Sequence, residues 1–305
     1  MSLTVDVSGL TKTFGSVVAV KDLTFQVTPG RVTGFLGPNG AGKTTTLRML
    51  LGLVRPSAGS ATIGGRRYAE LAEPLRTVGA ALEATGFHSG RSARNHLRVV
   101  GATCGIGTAR VDEVLGQVGL ADAAGRRVGG FSLGMRQRLA LAQALIGDPA
   151  VLLLDEPANG LDPEGIAWLR GFLRHLAGQG RTVLVSSHVL TEVQQTVDDV
   201  VIISRGRLIT QSTLEGLEGG ATTVVRTPTP QQLLQALEQA GLRSRLRPEP
   251  DDGLAVAPEL EVTGASPAQV GALAYAVGVE LHELRTRAND LETVFLQLTG
   301  EGASS

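Results

Sequence analysis

Over the first two-thirds of the chain, short apolar runs alternate with stretches of helical period. The runs at 32–36, 78–82, 151–154, 182–186 and 200–204 predict strands. Periodic stretches at 43–51, 109–118, 132–146, 163–177 and 189–196 predict helices. Three of the apolar runs are nearly continuous in Val, Leu and Ile, which suits strands covered on both faces. This alternation predicts an α/β fold with a mixed, largely parallel sheet. Residues 68–148 are mostly helical in pattern and read as a helical subdomain set between early and late strands. Near Gly219 and Gly220 the texture changes. Strand patterns at 223–226, 245–247, 254–257 and 279–284 interleave with helical ones at 230–240 and 267–277, and a closing helix follows at 290–298. The order β-α-β-β-α-β predicts a small ferredoxin-like domain. Two domains are therefore expected, at 1–218 and 219–305.

Composition narrows the function classes. The chain has 305 residues, is 42% hydrophobic and carries a formal charge of −1. That fits a folded protein and argues against nucleic acid as the partner, which calls for a strongly basic face. The single Cys104 permits no internal disulfide and points to a reducing cytoplasm. It reads as a small buried residue. No apolar run reaches the roughly 18–20 residues needed to span a bilayer, and the first residues lack the pattern of a signal peptide. Work at a membrane would need a span from another chain. Only Lys12, Lys21 and Lys43 are lysines among 28 basic residues. These become candidates for positions that need a compact ammonium rather than a planar guanidinium.

The segment Gly37-Pro38-Asn39-Gly40-Ala41-Gly42-Lys43-Thr44 matches the glycine-rich phosphate loop in full. It follows one predicted strand and opens a predicted helix, as the chemistry requires. The glycines let backbone N–H groups turn inward around phosphates, and the helix N-terminus adds partial positive charge. Lys43 would reach the β- and γ-phosphates of ATP. Thr44 would bind Mg²⁺, with Thr45 beside it in the cradle.

The run 151–154 ends in Asp155 and Glu156. A strand buried on both faces delivers such residues to the ligand crevice of a parallel sheet. Asp155 would hold Mg²⁺, directly or through water. Glu156, pointing differently, would activate the attacking water. His188 ends another predicted strand. It reads either as a structural histidine or as a contact for the γ-phosphate, and its place at the carboxyl end of that strand favours the contact.

In this order the motifs resemble the ATPase subunits of the ATP-binding cassette (ABC) transporters, over roughly residues 3–218. The phosphate loop alone would indicate only an ATPase or GTPase of the phosphate-loop class. The segment Phe131-Ser132-Leu133-Gly134-Met135-Arg136-Gln137-Arg138 is more specific and is similar to the family signature. By that resemblance Ser132 and the Gly134 backbone bind the γ-phosphate of ATP held by the opposite copy of a homodimer. Asn159-Gly160-Leu161-Asp162 resembles the loop that signals across that dimer. Phe14 stands where the family stacks an aromatic on adenine, with a core Phe as the alternative. Leu133 and Met135 replace the usual Gly and Gln, and Glu83 replaces a Gln that supports Mg²⁺. Both departures resemble the subgroup that exports bacitracin-like peptides and lantibiotics or confers immunity to them.

The resemblance implies an ATPase with ATP and Mg²⁺ as cofactors, peripheral on the cytoplasmic face of the membrane and paired with an integral membrane permease. The docking surface is expected in the helical subdomain near 83–98. A soluble ATPase of the same superfamily, acting on a macromolecule, is the alternative. A GTPase is excluded, since no lysine follows an Asn and the guanine-reading motif Asn-Lys-x-Asp cannot occur. A non-catalytic sensor is disfavoured by Glu156.

Overall fold

The computed structural model describes residues 3–82, 86–189, 194–218, 222–247 and 258–287. The chain divides into two compact units, Met1–Thr213 and Leu214–Ser305.

The first unit holds two sheets. Strands β1 (Val5–Phe14), β2 (Val17–Val27) and β4 (Ala58–Ile63) form an antiparallel sheet in the order β2-β1-β4. Strands β3 (Val32–Leu36), β5 (Val78–Ala81), β6 (Val151–Asp155), β7 (Thr182–Ser187), β8 (Asp199–Ser204) and β9 (Arg207–Thr213) form the second, in the order β5-β6-β7-β3-β8-β9. Every neighbouring pair there is parallel except β8 with β9. The apolar runs make the central strands. Val151, Leu152, Leu153 and Leu154 are all buried, as expected of a strand covered on both faces. One core joins the two sheets around helix α1 (Lys43–Leu50): Phe25 stacks on Phe35 at 5.2 Å between ring centroids, and Leu47 and Leu50 pack in the same cluster.

The helices start where side chains satisfy the free N–H groups of the first turn. Helix α2 is Pro74–Thr77. Ser92 caps α3 (Ala93–Ala102), Ser132 caps α5 (Leu133–Leu145) and Asp162 caps α6 (Pro163–Gly178), whose Pro163 suits the first helical position. Helix α4 (Thr108–Gln117) begins after Gly107.

The second unit opens with α7 (Leu214–Glu218). It continues with β10 (Thr222–Arg226), α8 (Pro230–Gln239), β11 (Arg243–Arg247), β12 (Glu259–Thr263), α9 (Pro267–Ala276) and β13 (Glu283–Arg287). Its four-stranded antiparallel sheet has the order β11-β12-β10-β13. Val225, Leu260 and Val262 of the sheet pack with Leu233 and Leu237 of α8 and Val270 of α9.

The structure departs from the sequence expectations at three places. The antiparallel sheet of the first unit was not expected, because register shifts between Val7 and Thr13 break the two-residue alternation that announces a strand. The strand expected at 279–284 lies at Glu283–Arg287. Val279 instead closes helix α9, donating from its N–H to the Ala274 carbonyl beside left-handed Gly278, and its side chain is buried in the unit's core. Cys104 is half-buried rather than buried, since the turn after α3 leaves it near the surface with its thiol on the carbonyls of Val100 and Gly101. The strand at 254–257 and the helix at 290–298 lie outside the described residues, as do positions 190–193 of the helix expected at 189–196.

Candidate active site

Between β3 and α1 the chain turns through residues 37–42, and the turn depends on its glycines. Gly40 and Gly42 have φ of 80° and 104°, left-handed values that favour glycine. A Cβ on Gly37 would lie 2.6 Å from the Ile203 carbonyl oxygen, and one on Gly42 would lie 2.7 Å from that of Ala19. Ala41 closes the turn by donating from its N–H to the Pro38 carbonyl at 3.1 Å. The Lys43 side chain folds back into this loop. It is 6% exposed, and its Nζ donates to the Gly37 carbonyl at 2.7 Å and to that of Pro38 at 3.4 Å. Neutral carbonyls orient the ammonium without cancelling its charge, which an incoming anion would share with the Glu156 carboxylate 3.4 Å away. Asn39, Gly40, Gly42, Lys43, Thr44 and Thr45 line a cleft of about 390 Å³ together with Glu156, Asn159 and His188.

Strand β6 ends in Asp155, and Glu156 follows it into the cleft, the two carboxylates meeting different partners. Asp155, 7% exposed, accepts the Thr44 hydroxyl at 2.6 Å on Oδ2 and the Ser186 hydroxyl on Oδ1. Glu156 has a φ of 50°. A non-glycine residue held there stores on the order of 1 kcal/mol of strain, which its surroundings must offset. They do so with three hydrogen bonds on its backbone: its N–H donates to Ser186 Oγ at 3.0 Å and to the Ser186 carbonyl at 3.2 Å, and its carbonyl accepts from Gln137 Nε2 at 3.2 Å. The carboxylate faces two cationic or protic groups. Lys43 Nζ lies 3.4 Å from Oε1, and His188 Nδ1 lies 2.7 Å from Oε2. Since a carboxylate only accepts, the short contact puts the proton on His188 Nδ1.

Three of the residues expected to do chemistry, Lys43, Glu156 and His188, thus meet at one carboxylate. Ser186 and Gln137 were not singled out from sequence. The signal for Ser186 was two hydroxyls ending an otherwise apolar run. Gln137 lay inside the signature segment without an assigned task.

The signature segment forms the first turn of α5. Ser132 Oγ accepts from the Met135 N–H at 3.2 Å, and Gly134 lies near the Leu161 side chain. Leu133 is 54% exposed and rests on Gly160, where an added Cβ would come within 2.1 Å of its Cδ2. Leu133, which replaces the usual Gly, therefore packs this helix tip against the loop 159–162. Phe14 is 49% exposed at the end of the β1–β2 hairpin, which does not fit a core Phe. Glu83 lies outside the described residues.

A glycine cradle opening a helix, with a buried lysine and a strand-end carboxylate pair beside it, defines a nucleoside-triphosphate-hydrolysing cassette of the phosphate-loop class. The family model described as "ABC transporter" matches residues 20–159, and "Domain of unknown function (DUF8746)" matches residues 221–292. The chain is 43% identical over 221 residues to the bacitracin transport ATP-binding protein BcrA of Bacillus licheniformis, covering 72% of each chain. It is 36% identical over 212 residues to the lantibiotic transport ATP-binding protein SrtF of Streptococcus pyogenes, covering 70% of this chain and 92% of that one. It is 35% identical to the uncharacterized ABC transporter ATP-binding protein YhcH of Bacillus subtilis, covering 99% of this chain and 97% of that one. Among solved structures, an ATP-binding subunit of an ABC transporter matches with a TM-score of 0.64 and 28% identity, over 72% of this chain and 92% of that one. The dimeric MJ0796, a bacterial ABC transporter cassette, shares the fold at 22% identity and a TM-score of 0.63, over 69% of this chain and 98% of that one. The protein belongs to the ATP-binding subunits of the ABC transporters. It binds ATP and is an ATPase whose hydrolysis is coupled to transport through a membrane partner. Among the described residues no helix is long and apolar enough to cross a membrane.

Proposed function

We propose that the protein powers export of a peptide antibiotic or similar amphiphile through a separate integral membrane permease, from the cytoplasmic face of the membrane. The convergence of Lys43, Thr44, Glu156 and His188 on one cleft, with Asp155 bonded to Thr44 behind it, carries the ATPase part of this reading. The bacitracin and lantibiotic relatives support the cargo class.

Two copies pair head to tail around two ATP molecules. Within one copy Phe14 stacks on adenine, the amides of residues 37–45 and Lys43 hold the phosphates, and Ser132 and the Gly134 amide of the second copy complete the γ-phosphate site. The Thr44 hydroxyl and the Asp155 carboxylate are hard oxygen donors already within 2.6 Å of one another. That pair suits Mg²⁺, which takes its other ligands from phosphate and water. The ion would neutralise charge on the phosphates, and by the family resemblance Glu83 would add a further oxygen to this set. Glu156 accepts a proton from the attacking water. His188, fixed by its bond to Glu156, would donate from its other ring nitrogen to the γ-phosphate in the imidazolium form, in which both ring nitrogens carry a proton. Lys43 holds the phosphate charge in place. Hydrolysis removes the bridge between copies, and the loosened pair moves the permease through the helical subdomain of 68–148 and its surface near 83–98.

The cassette is assigned to 1–218 and an accessory domain to 219–305. The strand order and the β-α-β-β-α-β sequence of elements support a ferredoxin-like reading of the latter.

Deleting the protein in its host should sensitise cells to bacitracin-like peptides or lantibiotics, with resistance restored by the parent chain and not by Glu156→Gln. Unchanged sensitivity to both classes would refute the cargo reading. Affinity capture that recovers ribosomes or DNA and no integral membrane protein would favour the soluble alternative.

A further inference from the structure

Lys12 is one of the three lysines in a chain that otherwise uses arginine, and neither the phosphate loop nor the carboxylate site accounts for it. Its Nζ lies over the Phe14 ring, 4.8 Å from the centroid. The same ammonium donates to the Arg55 carbonyl at 2.8 Å. Residue 55 belongs to the segment leaving helix α1, and that segment is tied back to the helix: the N–H groups of Leu53 and Val54 donate to the Arg48 carbonyl at 2.9 and 3.2 Å. Two further bonds fasten it to β1, from the Ser57 N–H to the Thr11 carbonyl at 2.8 Å and from the Thr13 N–H to Ser57 Oγ at 3.1 Å. Helix α1 begins at Lys43.

We infer that Lys12 is a positioning residue for adenine, holding the Phe14 ring at a set place relative to the phosphate loop. The inference rests on the reading of Phe14 as the adenine platform. A ring 49% exposed at a hairpin end has few neighbours to fix its rotamer. Without an anchor, that freedom is lost when a base stacks on it, at a cost to affinity. Lys12 covers one face of the ring with a cation and leaves the opposite face to the base. Its second contact, to Arg55, sets the distance between the stacking surface and the helix that presents Lys43. A compact ammonium with three donors makes both contacts at once. A guanidinium lying flat on the ring would direct its N–H groups along the ring plane and lose the carbonyl.

Calorimetric titration of the full chain with ATP and with inorganic tripolyphosphate tests this, because tripolyphosphate has no base. Lys12→Met should weaken ATP about two- to fivefold, the scale of an exposed cation–π contact, and leave tripolyphosphate unchanged. Phe14→Ala should weaken ATP at least as much, and the double variant should be no weaker than Phe14→Ala alone, since Lys12 acts through the ring. Lys12→Arg, which keeps the cation and loses the anchor, should fall between the parent and Lys12→Met. If Phe14→Ala weakens ATP and Lys12→Met does not, the platform stands and the role of Lys12 is overturned. If Phe14→Ala leaves ATP affinity intact, the platform reading fails and this inference with it. Equal weakening of ATP and tripolyphosphate by Lys12→Met, additive losses in the double variant, or an Arg variant as weak as the Met variant would each overturn the positioning role.

Discussion

Replacing Glu156 by Gln isolates the proton-accepting function from everything else that residue does. Gln has the same shape, so the backbone at φ 50° and its bonds to Ser186 and Gln137 are kept. The amide oxygen can still accept from His188 Nδ1, now 2.7 Å from Oε2. What disappears is the basic carboxylate. Loss of a positioned base costs a factor of about 100 to 10,000. The low end applies here, because the amide can still orient a water; a hundredfold fall in turnover is about 2.7 kcal/mol of transition-state stabilisation. Binding should move the other way or not at all. The Glu156 carboxylate, 3.4 Å from Lys43 Nζ, competes with the phosphates for that ammonium, and the neutral amide does not. Phosphate release at saturating ATP, with the permease present, measures the first effect, and calorimetric ATP affinity measures the second. Turnover within threefold of the parent, or ATP affinity reduced tenfold, would refute the assignment of Glu156 as the base.

Lys43→Ala should abolish measurable ATP binding, because it removes the only ammonium buried in the loop among the described residues; titration calorimetry checks this, and parental affinity would contradict the phosphate-loop reading. Gly160→Ala places a methyl against Leu133 at a φ of 78°, so melting should fall by roughly 2–4 °C, on the scale of 1 kcal/mol, and a second change Leu133→Gly should recover part of it. Burial raises the Asp148 carboxyl, but Arg181 and Arg110 outweigh it and hold it below the usual carboxylate range. A lowered folded value means the stabilisation is present above the unfolded value and is lost as pH falls through the folded one. Asp148→Asn, tolerated at the left-handed φ of 55°, should therefore be less stable than the parent at pH 7, with the gap closing below about pH 4. Urea midpoints across pH test this, and a gap that persists in acid would show that the charge is not the cause.

The parts of the site that depend on local backbone were legible in the sequence. The glycines at 37, 40 and 42 are demanded by a turn within a few residues, and the strand ending in Asp155 announces itself by continuous apolar residues. The parts set by distant pairing were not. Ser186 reaches Asp155 only because β6 and β7 align those two positions in parallel register. Gln137 finds the Glu156 carbonyl only once α5 has packed beside that strand end. The same limit applies to the fold. Register shifts in β1 hid a whole antiparallel sheet, whereas in the second unit the apolar-polar alternation Val279-Glu280-Leu281 imitated a strand, and Val279 proved to close a helix.

Helix α5 touches two places at once. Ser132 sits at its tip and Gln137 less than two turns further along, about 7.5 Å by the rise of an α-helix. In the paired arrangement proposed above, the tip serves the neighbour's ATP while Gln137 grips the backbone of the catalytic glutamate in its own copy. A rod so short transmits displacement without bending. In that arrangement loss of one ATP would loosen the grip on the base that acts on the other, and the two turnovers would be coupled rather than separate.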